Sequence, residues 1–261
     1  MKRKPLVTWF PFRFALLIAP LMAAWPQRAQ AVDGTWNGAT GGTWHTVTNW
    51  TPNTAFPGEA SAAVTGEGLT TDIALFTGAN ISTNAGINMG TMGGSLSLGA
   101  IDMVRTAAGN LQIGNNSTTS GILQLNGATV NSVANTLIRV SGSVASDLTI
   151  ANVNTGTGTQ TMGLRLGITN GIFQVDTGRT LSISSIISQV NANSGFTKNG
   201  AGTVSLSGAN TYNGAVLVND GVVRISNAAA LGTGTSTVTV TNNYTTATPL
   251  RTRTPCRSRV G

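Results

Sequence analysis

Between Gly58 and Thr248 the chain runs without proline, and short apolar alternations recur there with Gly, Asn and Asp between them. Ser95-Leu-Ser-Leu98, Asp147-Leu-Thr-Ile150, Thr180-Leu-Ser-Ile183, Thr203-Val-Ser-Leu206 and Thr237-Val-Thr-Val240 share one order: small polar, aliphatic, Ser or Thr, aliphatic. Alternation of period two over four to six residues predicts a strand with one buried face. No segment sustains an i, i+3, i+4, i+7 pattern through three turns. The pattern therefore predicts an all-β chain.

Repetition narrows the architecture. Thr119-Ser-Gly121-Ile-Leu-Gln-Leu-Asn126, Thr169-Asn-Gly171-Ile-Phe-Gln-Val-Asp176 and Asn219-Asp-Gly221-Val-Val-Arg-Ile-Ser226 match one another, with their glycines 50 positions apart both times. In each copy a turn precedes a strand, with Leu123/Leu125, Phe173/Val175 or Val223/Ile225 on one face and Gln124, Gln174 or Arg224 on the other. The Ser/Thr-apolar strands also recur at a closer spacing, 23 residues from Leu181 to Val204. Recurrence at 20–50 residues marks a solenoid or array. With strands alone available, the expectation is a β-solenoid, specifically a right-handed parallel β-helix. Roughly ten coils at ~4.8 Å each would make a rod about 50 Å long. An antiparallel sandwich also places short strands between frequent turns and is the competing architecture.

One stretch is more specific than the rest. Gly195-Phe-Thr-Lys198-Asn-Gly200-Ala-Gly202-Thr-Val-Ser-Leu-Ser-Gly208-Ala-Asn210-Thr-Tyr212-Asn-Gly214 continues through Val216-Leu-Val-Asn-Asp-Gly221 to Leu231-Gly232. It closely resembles the autotransporter-associated β-strand repeat, also called the passenger-associated transport repeat, of large bacterial surface and secreted proteins. The match spans about 40 residues, best over 195–234, with weaker echoes at 121–130 and 171–184. The resemblance implies an extracellular β-helical passenger or stalk and no catalysis. Read from the residues themselves, Gly200, Gly202, Gly208, Gly214 and Gly221 suit turns and close packing. Tyr212 is expected over a coil corner and Lys198 in solvent.

The ends differ from the body, and they alone make the chain basic. The formal net charge is +7. Residues 1–31 carry Lys2, Arg3, Lys4, Arg13 and Arg28 without an acid, and 249–261 carry Arg251, Arg253, Arg257 and Arg259 without one. The span 32–248 has six basic and eight acidic residues, so nucleic acid is not an expected partner. The basic start, the apolar run Phe14–Trp25 and the small residues Ala29 and Ala31 predict a cleaved signal peptide over 1–31, with an uncleaved membrane anchor as the alternative. No transmembrane segment is expected in the mature chain. The tail holds the single cysteine, Cys256, and two prolines without alternation. It is expected to be out of frame, the alternative being a basic tail for lipopolysaccharide or phosphate. No series of ~10-residue strands follows as an outer-membrane barrel requires, so the chain is expected to stop short of a translocator. The divisions are 1–31 signal, 32–92 an aromatic cap region and first strands, 93–248 the solenoid, and 249–261 the tail.

Chemistry is sparse. His45 is the only histidine, and Asp33, Glu59, Glu67, Asp72, Asp102, Asp147, Asp176 and Asp220 never fall within four residues of one another. A calcium loop gathers carboxylates in one short segment, and no nucleophile, phosphate or metal motif occurs. No cofactor, metal or catalytic residue is expected. Trp36, Trp44 and Trp50 lie within 15 residues. They are read as a cap on the N-terminal end of the solenoid, the alternative being a platform that stacks on sugars. The expected function is a secreted or cell-surface structural passenger for adhesion or display. It would sit outside a Gram-negative-type bacterium, or in its periplasm if no translocator follows, with surface glycans or a host or neighbouring cell surface as partner. A β-helical polysaccharide-active enzyme and a glycan-binding module are the alternatives.

Overall fold

A computed structural model describes residues 33–39, 41–60, 70–77, 85–88, 95–106, 108–115, 120–142, 146–152, 161–233 and 237–241. The signal expected at 1–31 and the tail at 249–261 lie outside these residues. Among the described residues the regular structure is strand, apart from the 3-10 turn Val47–Asn49.

The strands wind through three sheets in turn. A long sheet stacks Gly34–Trp36, Ile73–Phe76, Ala100–Val104, Val133–Ser141, Asn170–Val175, Gly195–Asn199, Val216–Val218 and Val238–Val240, all parallel. The second sheet stacks Ala85–Asn88, Leu111–Asn115, Leu148–Asn152, Thr180–Ile183, Thr203–Leu206 and Val222–Ile225, again parallel. The third stacks Ser95–Leu98, Gly121–Leu125, Met162–Leu166 and Ile186–Gln189. Successive strands in sequence fall on successive sheets, so the chain is a three-sided parallel β-solenoid.

Alternation along each strand sends one residue in two into a narrow core, and register stacks those residues in columns. Ala74, Ile101, Ile138 and Phe173 follow one another in the long sheet. Leu111, Leu148, Leu181 and Val204 do so in the second, and Leu96, Leu123, Leu164 and Ile187 in the third. All twelve are fully buried. A coil this thin cannot shield its own apolar face, and each is sealed by the coils above and below.

Two expectations change. The glycines spaced by 50 are not equivalent: Gly121 opens a third-sheet strand beside Met162, Gly171 lies in the long sheet beside Phe196, and Gly221 leads into the second sheet. A turn followed by a strand is the local solution at every side of the coil, so its sequence recurs without marking the coil. The 23-residue spacing does mark it, because Leu181 and Val204 are register partners. Among the described residues the long sheet holds eight parallel strands, against the roughly ten coils expected, and at ~4.8 Å apart they span about 34 Å. The middle coils are longer than the spacing implied. One carries a hairpin that pairs Val130 with Val133 around Asn131 and Ser132, both at positive φ as a tight two-residue turn requires.

The two ends differ. At the start, Trp50–Thr51 turns back antiparallel on Gly34–Trp36. At the other end Val222, Ile225, Val238 and Val240 are exposed.

Candidate functional site

The specific stretch folds as two consecutive coils. Gly195–Asn199 lies in the long sheet, Gly200 and Gly202 turn the corner, and Thr203–Leu206 enters the second sheet. Residues 208–214 form the third side, and Val216–Val218, Asn219–Gly221 and Val222–Ile225 repeat the course one coil higher.

Lys198 is not in solvent. Its register partners are Phe173 below and Val218 above, so it occupies the core column and is fully buried. Its Nζ donates to the carbonyls of Asn199 (2.9 Å), Gly200 and Asp220 (3.2 Å). Three N–H donors meet three acceptors, two from its own corner and one from the next coil. Burial brings the amine down from 10.5 to about 8, against the opposing pull of Asp220 and Asp176. Sequence reasoning put this charge outside because buried lysines are rare. The carbonyl-rich corner that accommodates it becomes visible only once the coils are stacked.

On the third side a side chain replaces a strand. Asn210 Oδ1 accepts from Ile187 N–H (2.8 Å) in the coil below, and its Nδ2 donates to Ala230 O (2.6 Å) in the coil above. Tyr212 is buried rather than draped over a corner. Its ring stands edge-on to Phe196 at 5.8 Å, its hydroxyl faces Ala230 O at 3.4 Å, and burial raises its pKa. Gly208 and Gly214 bracket this segment, and a Cβ on Gly214 would collide with the Asn193–Ser194 backbone. Above it Thr233 N–H donates to Tyr212 O (2.9 Å), Gly232 closes a turn on Ala229 O (3.0 Å), and Leu231 packs half-buried against the core.

The outer face of the long sheet carries a polar column that sequence reasoning missed. Asp102, Arg139, Gln174 and Asn199 follow in that order. Arg139 pairs bidentately with Asp102 (Nε to Oδ1 2.8 Å, Nη2 to Oδ2 2.9 Å), and this bond raises the guanidinium pKa. Asn219 Nδ2 donates to Asn199 Oδ1 (2.9 Å), and Thr241 Oγ1 donates to Asn219 Oδ1 (3.0 Å). These residues are 20–37 positions apart, so only coil register reveals them as neighbours.

The three tryptophans pack as one buried cluster beside the first described strand of the long sheet. Trp44 and Trp50 are 0% exposed and Trp36 is 2% exposed. Trp36 meets Trp50 at 5.0 Å and 84°, and Trp50 lies 4.8 Å from Trp44. Trp44 Nε1 donates to Pro57 O (3.0 Å) and Trp50 Nε1 to Trp44 O (2.6 Å). Stacking on a sugar needs an open ring face, and no indole of this cluster presents one. His45 beside them is half-buried.

The described carboxylates are spent on the backbone or on a neighbour. Asp33 accepts from Ile73 N–H (2.9 Å), Asp72 from Gly58 N–H (3.1 Å), Asp147 from Thr180 N–H (2.8 Å) and Asp220 from Gly221 N–H (2.7 Å). Asp176 accepts from Gln174 Nε2 (3.2 Å) and Asp102 binds Arg139. Among the described residues no three His, Cys, Asp or Glu side chains gather as metal ligands. No described helix is long and apolar enough to cross a membrane.

Residues 196–225 match the family described as passenger-associated-transport-repeat. Over 141 residues the chain is 33% identical to the adhesin BmaC autotransporter of Brucella suis biovar 1 (strain 1330), a match covering 54% of this chain. The matched region spans about 4% of the length of that relative. No solved structure matches the chain.

Proposed function

We propose that a passenger-type repeat, folded as consecutive coils of a parallel solenoid, makes this chain a structural segment of an exported, autotransporter-type surface protein. Its work is to hold and extend a surface away from the cell for contact with another cell or its glycans. The observation that carries this reading is the use made of the repeat's own residues. Lys198, Asn210 and Tyr212 all face the neighbouring coil or the core, so what the repeat specifies is stacking.

A non-catalytic role is the reading that fits the same logic. A general acid, base or nucleophile needs a side chain free to meet a substrate. The six described aspartates are instead held by backbone amides, Arg139 or Gln174.

The experiment is display. Residues 32–248, placed between an export signal and an outer-membrane translocator in a Gram-negative host, are expected to reach the surface. External protease would then degrade them on intact cells, and the cells would bind host-cell or glycan-coated surfaces better than cells carrying the translocator alone. Retention inside the outer membrane would contradict the passenger reading. Surface exposure without added binding would leave a stalk and remove adhesion.

A further inference from the structure

A lysine stands in a column that is otherwise Ala74, Ile101, Ile138, Phe173, Val218 and Val240. An apolar residue there would pack as its neighbours do, so the amine has a task that packing does not explain. Its three acceptors span two coils: Asn199 O and Gly200 O belong to its own corner, Asp220 O to the next. The residue after Asp220 is Gly221, at φ +74°, and a Cβ placed there would lie 2.8 Å from Nζ as well as against the carbonyl oxygens of Gly200 and Gly202. The amine thus reads two features of the coil above it at once, a carbonyl at one position and a missing side chain at the next.

We propose that Lys198 is a register lock between consecutive coils, admitting the next coil only where its corner presents the Asp220 carbonyl followed by Gly221.

Parallel stacking alone does not fix this choice. A coil displaced by two residues still sends aliphatic side chains inward, because the period of a strand is two. Displacement would move the Asp220 carbonyl away from Nζ and bring a side-chain-bearing residue over it. The buried ammonium would then lose one of its three acceptors and keep only Asn199 O and Gly200 O, which is costly in an apolar column. An apolar residue at 198 imposes no such condition. A buried polar group that secures register at the expense of stability is a known use of such groups.

Crosslinking reads register directly. In a Cys256→Ser background, Thr197→Cys with Leu217→Cys reports the observed pairing, since these are register partners. Thr197→Cys with Asn219→Cys reports a coil displaced by two. The second pair lies about 8 Å apart in the observed register, beyond disulfide reach. With Lys198 present the first pair is expected to close at least tenfold more than the second at pH 7. In Lys198→Met the second pair is expected to rise to a comparable yield. An unchanged preference in Lys198→Met would overturn the proposal. Should that variant not fold, the unsubstituted chain answers at pH 10, where the amine is neutral and offers two N–H donors for three carbonyls. The charged groups that act on the amine are Asp220 and Asp176. The ratio is expected to fall at pH 10, and a constant ratio would overturn the lock.

Discussion

Asn210 spans three coils: through its side chain it receives the backbone N–H of Ile187 from below and gives an N–H to the carbonyl of Ala230 above. Regular third-sheet pairing has stopped at Ile186–Gln189, and this amide works beside the backbone bonds from Thr211 N–H to Ile187 O and from Asn210 N–H to Ala229 O to hold the third side together. Asn210→Ala leaves two buried backbone groups without that partner. A loss of about 2–6 kcal/mol in urea unfolding is expected, at about 1–3 kcal/mol for each orphaned group. A loss under about 0.5 kcal/mol would show that the third side does not depend on it.

Arg139 and Asp102 test the outer column. Their side chains are 15% and 11% exposed, so solvent screens the pair only in part. Arg139→Met is expected to cost about 1–2 kcal/mol, and a double-mutant cycle with Asp102→Asn should recover about 1 kcal/mol of coupling. No coupling would mark the pair as incidental.

The buried amine and phenol give stability a maximum near pH 10. Lys198 has a folded pKa of about 8 against 10.5. Between those values the unfolded chain holds a proton that the folded chain has released, so stability rises with pH, by up to about 3 kcal/mol. Tyr212 moves the other way. Burial raises its pKa, so above pH 10 the unfolded chain ionises first and stability falls. Urea unfolding across pH 7–11 should show the rise, absent in Lys198→Met, and the fall, absent in Tyr212→Phe. A rise that persists in Lys198→Met would assign it elsewhere.

The aromatic end should behave as core. Trp50→Ala is expected to cost about 3–5 kcal/mol and to lower the melting temperature whatever it does to glycan binding. Loss of glycan binding at an unchanged melting temperature would restore the platform reading of Trp36, Trp44 and Trp50.

Much of this fold was legible in the sequence, and what was missed has one cause. Alternation at Thr180–Ile183 and Thr203–Leu206 identified strands, and their 23-residue offset was the true coil spacing. Gly121, Gly171 and Gly221 misled, because each side of a coil uses the same turn chemistry and equal spacing did not mean equivalent place. Lys198 was misplaced because its three carbonyl acceptors come from a corner and from a neighbouring coil. The Asp102–Arg139 pair was invisible for the same reason, being 37 positions apart. Strand identity is local information; coil register is not.

That register is the central claim, and one column measures it. Gln112, Thr149, Ser182, Ser205 and Arg224 succeed one another along the second sheet. Paired spin labels from Gln112 to each of the others should give separations growing in equal steps of ~4.8 Å, reaching about 19 Å at Arg224. Distances that fail to increase with each successive strand, as an antiparallel sandwich would produce, would contradict the solenoid and the stalk built on it.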